Sequence, residues 1–101
     1  MMATTTLNLD AVMAALVARG CKPRLTAKQR DLLAALAQVG ARLSVNRYGD
    51  SVYVLTAPDG VRTPYSAMVC GGLPLHALCA VDPNAPYGVI VYILKAAFIA
   101  D

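Results

Sequence analysis

The stretch from residue 25 to residue 63, LTAKQRDLLAALAQVGARLSVNRYGDSVYVLTAPDGVRT, constrains this chain more than any other. It opens with the spacing of a capping box. Thr26 and, three residues on, Gln29 can each satisfy a backbone N–H that a helix start leaves without a partner. Leu32, Leu33, Leu36 and Val39 then recur at helical spacing, so the pattern predicts a helix over Ala27–Val39 with Lys28, Gln29, Arg30 and Gln38 turned outward. Gly40 supplies the left-handed stop. Beyond it the apolar residues alternate as in strands: Leu43 and Val45 on one face of Arg42–Arg47, and Val52 and Val54 alternating with Tyr53 and Leu55 in Ser51–Thr56. Turn chemistry sits at Tyr48-Gly49-Asp50 and again at Pro58-Asp59-Gly60, after which Val61 and Arg62 return the chain. A capped helix leads into an antiparallel β-meander.

The flanks complete an α+β reading. Residues 1–6 are expected to fray. Asn8 caps a first helix, Leu9–Arg19, in which Val12, Met13, Leu16 and Val17 form the apolar stripe and Gly20 is the stop. Cys21 to Arg24 is a linker, because Pro23 disfavours helix in the residue before it. Thr63-Pro64 reads as the cap and first position of a third helix carrying Met68 and Val69 inward, broken at Gly71-Gly72 and restarted by Pro74 through Leu78. After a loop at Asp82–Pro86, the run of Val and Ile in Gly88–Leu94 predicts a late buried strand, central in the sheet. Lys95–Ala100 continues that strand or closes in a helical turn. The 101 residues make one domain.

Composition bears on partners. Hydrophobic residues make up 57% of the chain and charged residues 15%, against about 45–50% and about a quarter in ordinary globular chains. A small domain has much surface and few charges here to cover it, so a homodimer or a partner surface is expected. Val89, Val91 and Ile93 are the candidate interface residues, with the face bearing Met68 and Leu73 as the alternative. Tyr48 and Tyr53 join them, since tyrosine buries area while keeping a polar tip.

The net charge is +3, and the cations crowd together. Arg19, Lys22, Arg24, Lys28 and Arg30 precede the first nearby acid, Asp31, whereas beyond residue 63 only Lys95 is basic. Lys22, Arg24, Lys28, Arg30 and Arg47 are therefore the candidate nucleic-acid-binding residues. Phosphate recognition without sequence preference needs only such cations, and the alternative reading is a solvated face that keeps an apolar chain in solution.

Several classes are disfavoured. Cys70, His76 and Cys79 supply three ligand-type residues where structural zinc wants four in paired spacings, so buried thiols are expected, with no metal and no cofactor. The six acids are all aspartate, scattered at turns and helix starts with no close pair for general acid–base work. Gly71-Gly72 is not a phosphate loop. The chain reads as a non-enzyme. Pro64 to Val81 carries no charge, yet Gly71-Gly72 and Pro74 interrupt it, which argues against a membrane span. The N-terminus lacks the pattern of a secretory signal. With an odd cysteine count, this places the chain in the cytoplasm.

The segment LTAKQRDLLAALAQVGARL, followed by the hairpin around Tyr48-Gly49-Asp50, resembles the helix and wing of small prophage and bacterial winged-helix regulators. PDGVRTPYSAMVCGGL is similar to their strand-to-helix junction. The resemblance implies a small phage-type or mobile-element-type protein that contacts DNA through a basic helix start and hairpin. The rival expectation is a protein-interaction module that inhibits a host complex without touching DNA, of the anti-defence or anti-CRISPR kind.

Overall fold

The computed structural model describes residues 6–22, 24–46 and 52–100. The elements follow in the order β1 (Thr6–Leu7), α1 (Leu9–Ala18), α2 (Ala27–Leu36), β2 (Arg42–Asn46), β3 (Tyr53–Thr56), β4 (Arg62–Tyr65), α3 (Ala67–Gly71), α4 (Leu75–Leu78), β5 (Cys79–Val81) and β6 (Val89–Leu94). A 3-10 turn at Ala96–Phe98 and β7 (Ile99–Ala100) close the chain. An antiparallel sheet of five strands in the order β4-β3-β2-β6-β5 forms one layer, and β1 pairs separately with β7. The fold is α+β.

The meander forms as its turns dictate. Gly60 takes φ +91°, a conformation that favours glycine, while its N–H donates to the Ala57 carbonyl at 2.9 Å and Asp59 accepts from the Val61 N–H at 3.0 Å. The tip at Tyr48-Gly49-Asp50 lies outside the described residues. The N-cap of α1 is as expected, the Asn8 side chain accepting from the Ala11 N–H, whereas α2 ends at Leu36 with Ala37 as its C-cap, and Gly40, at φ +89°, turns the chain in the loop beyond it.

Alternation then sorts side chains between the two faces of the sheet. Leu43 and Val45, Tyr53 and Leu55, Tyr65, and Ile90, Tyr92 and Leu94 face the helices. There they meet Val12 and Leu16 of α1, Leu32, Leu33 and Leu36 of α2, Cys70, Leu73, Leu75, Leu78 and Phe98 in a single core. Fully burying each such leucine is worth roughly 1.5–3 kcal/mol.

The structure corrects several expectations. Thr63 and Pro64 belong to β4 and do not start a helix; Ser66 caps α3 by accepting from the Val69 N–H. β4 is an edge strand, the place in a sheet where a proline can stand without costing a ladder hydrogen bond. Met68 is 90% exposed, because this five-residue helix turns Cys70 to the core and Met68 lies about 200° away around it. Val39 and Val17 are exposed as well. α2 ends at Leu36, so Val39 no longer follows the helical stripe, and α1 buries only Val12 and Leu16. Gln29 is buried, not outward. Cys79–Val81 is an added edge strand, and Thr6 pairs with Ala100 where fraying was expected. Finally, β6 is interior to the sheet but covered on one face only: Tyr92 and Leu94 are buried, whereas Val89, Val91 and Ile93 are half-exposed on the other.

Candidate nucleic-acid interface

The basic segment is held between two helix ends. α1 closes at Gly20, φ +79°, with the Gly20 N–H on the Val17 carbonyl at 2.9 Å and the Cys21 N–H on that of Leu16 at 2.8 Å. α2 opens with a complete capping box: Thr26 Oγ1 accepts from the Gln29 N–H at 3.1 Å, and Gln29 Oε1 accepts from the Thr26 N–H at 2.9 Å. Arg19, Lys22, Arg24, Lys28 and Arg30 are all exposed around this junction. Among the described residues the one ion pair is elsewhere, between Arg42 and Asp82 at 2.6 Å. The first turn of α2 carries no acid. Its helix dipole therefore adds to the potential of Lys28 and Arg30 instead of offsetting it.

Gln29 ties this junction to α3. Its Nε2 donates to the Val69 carbonyl at 3.2 Å, so one side chain both caps α2 and anchors the next helical layer. The two elements leave a groove of about 460 Å³ lined by Thr26, Ala27, Lys28, Gln29, Met68 and Val69. Beyond Lys28 it meets a pocket of about 200 Å³ that is also lined by Asp31, Thr63, Tyr65 and Ser66. Burial, reinforced by Asp31 and Cys70, raises the Tyr65 phenol above its ordinary 10.0. Nothing in the chain's local pattern singles out Thr63, Tyr65 or Ser66 as neighbours of Lys28. The meander's return strand brings them there.

The remaining candidates separate in space. Arg47 and Tyr48 lie outside the described residues. Tyr53 packs against the core on the helical side of the sheet, while Val89, Val91 and Ile93 occupy the opposite side. Of the four described interface candidates, Tyr53 therefore lies on the other side of the sheet from Val89, Val91 and Ile93. Cys70 and Cys79 are buried, and burial pushes both thiols from 9.0 to about 11, with Lys95 lowering Cys79 slightly. Cys21 is exposed. His76 packs edge-on against Tyr92, ring centroids 5.7 Å apart. Among the described residues no three His, Cys, Asp or Glu side chains gather as metal ligands, neither groove is lined by His or Cys, and no helix is long and apolar enough to cross a membrane. The chain matches no protein-family model, and neither a curated protein nor a solved structure is significantly similar to it.

Proposed function

We infer that this protein is a small non-enzymatic binding module that contacts nucleic acid through the α1–α2 junction, in the manner of phage-type winged-helix regulators. The observation that supports the reading is the cluster of Arg19, Lys22, Arg24, Lys28 and Arg30, all exposed and without an ion pair among the described residues, over a helix start that has no acid in its first turn. Such a surface concentrates positive potential where phosphates can approach. Thr63, Tyr65 and Ser66, which line a pocket with Lys28, carry hydroxyls that can donate to a sugar–phosphate backbone. Arg47 would add a contact from the hairpin as a wing does.

Fluorescence anisotropy of labelled duplex DNA tests this. Affinity is expected to fall steeply with salt, and each lost phosphate contact lowers the log–log slope by about one. Lys28→Ala with Arg30→Ala weakens binding and leaves the circular dichroism unchanged, since both side chains are in solvent. Absence of DNA and RNA binding at low salt refutes the reading.

One observation favours the second reading, a protein-interaction module. The groove beside Lys28 has an apolar wall ending in Met68, 90% exposed, which suits an apolar side chain of a protein partner.

A further inference from the structure

An apolar groove lies inside the basic patch. Ala27, Met68 and Val69 supply its apolar lining, and Thr26, Lys28 and Gln29 the rest. At about 460 Å³ it falls within the roughly 300–1,000 Å³ of sites that take a small organic group. The lining is tied down. The Val69 carbonyl accepts from Gln29 Nε2 at 3.2 Å, the Val69 N–H donates to Ser66 Oγ at 3.4 Å, and the capping box fixes Thr26 against Gln29. A ligand entering the groove therefore has little backbone to order. The Met68 side chain, 90% exposed, stays free to adapt, and a thioether packs well on an aromatic ring.

The charges around the groove select what fills it. Arg24, two residues before Thr26, and Lys28 and Arg30 of α2 are all exposed, and the first turn of α2 carries no acid. A duplex offers phosphates to such cations but keeps its bases stacked inside, and an apolar groove adds nothing to that contact. The matching ligand brings a flat apolar body and a negative charge side by side. An unpaired nucleotide does so. We propose that this groove takes an unpaired base of a single-stranded nucleic acid, with the adjoining phosphates on Arg24 and Lys28. The inference rests on the α1–α2 junction being a nucleic-acid surface, and it narrows the ligand from duplex to single strand. The base lies against Met68 and Val69. The Thr26 hydroxyl, which accepts from the Gln29 N–H, keeps its own hydrogen for a base carbonyl. Asp31 lines the adjoining pocket and disfavours phosphate there, which leaves that pocket, with Thr63, Tyr65 and Ser66, to the sugar. Contacts of this kind tolerate any base, so sequence preference is modest.

Two labelled strands of about twelve nucleotides test this by fluorescence anisotropy: one of thymidine, and one abasic, with the same phosphates and no bases. At equal salt the thymidine strand is expected to bind about tenfold more tightly than the abasic strand. Met68→Gln, at a side chain too exposed to bear on folding, weakens the thymidine strand about threefold, while the abasic strand, with no base to lose, binds as before. Lys28→Ala weakens both strands and lowers both salt slopes by about one, which separates the phosphate contact from the base contact. Equal affinity for the two strands overturns the proposal and leaves phosphate binding at the junction standing. A Met68→Gln protein that binds the thymidine strand as tightly as the parent overturns it as well. If neither strand binds at low salt and duplex DNA does not either, the proposal falls together with the reading beneath it, and the groove passes to an apolar segment of a protein partner.

Discussion

Leu43 and Ser44 are adjacent in β2, yet they belong to different worlds. Leu43 is fully buried under the helices, while Ser44 stands half-exposed on a bare sheet, its hydroxyl donating to the Val54 carbonyl at 3.3 Å. The same contrast runs along β6, where Tyr92 and Leu94 are buried and Val89, Val91 and Ile93 are half-exposed. On the covered face, side-chain volume is fixed by jigsaw contact with helices the chain itself supplies. On the other face, valine and isoleucine keep intermediate exposure, and none of the described helices packs over them. The two faces teach that an apolar residue in a strand reports β-preference and burial together, and that only the packing partner separates them.

The sharpest way to break this comparison is to delete volume on each side. Leu43→Ala is expected to cost about 2–5 kcal/mol in urea unfolding, the range for a large-to-small change in a core. Val91→Thr, which keeps the strand-favouring shape, is expected to cost less than about 1 kcal/mol when the chain is dilute. Equal costs at low concentration would mean that the second face is covered within the monomer after all.

The Gln29 bridge is next in size. Gln29→Leu removes one half of the capping box and leaves the half-buried Val69 carbonyl without its donor, a loss of about 1–3 kcal/mol in thermal or urea unfolding. Gly72→Ala sharpens the assignment, since a Cβ there would stand 2.6 Å from Gln29 Nε2 and push the same amide off its acceptor. If the two changes are independent, so that the double variant sums the singles, the bridge is not the mechanism.

The last effect is a pH dependence that belongs to the covered face and is absent at neutral pH. Cys70 and Cys79 hold thiol pKa values of about 11 in the fold against 9.0 outside it, because burial disfavours the thiolate. The unfolded chain therefore gives up these protons first. The contribution to stability is complete below pH 9 and is lost as pH rises towards 11. Urea midpoints measured from pH 8 to pH 11 should fall, and replacing both thiols by alanine should flatten that part of the curve even though it lowers the baseline. A slope unchanged by the replacement would assign the alkaline loss to other groups, Tyr65 among them.

Much of the fold was legible where the governing interactions are local. The capping box at Thr26 and Gln29, the Asn8 cap, the positive-φ glycines at Gly20, Gly40 and Gly60, and the alternation of the described strand residues follow from residues a few positions apart. The candidate site was legible only in part. Its cations could be counted along the chain, and Lys22, Arg24, Lys28 and Arg30 are indeed exposed. The neighbours Thr63, Tyr65 and Ser66, and the second role of Gln29, arise from contacts over some forty residues of chain and leave no periodic trace.

Thr63-Pro64 marks the same boundary. Locally it is as good a helix start as Ser66, and the pairing of β4 with β3 decided against it. The sequence by itself determined where segments begin and turn, because caps, glycine conformations and side-chain alternation act within a few residues. Only the tertiary structure decided which face of the sheet the helices cover. That choice rests on the summed burial of distant side chains, and no single residue encodes it.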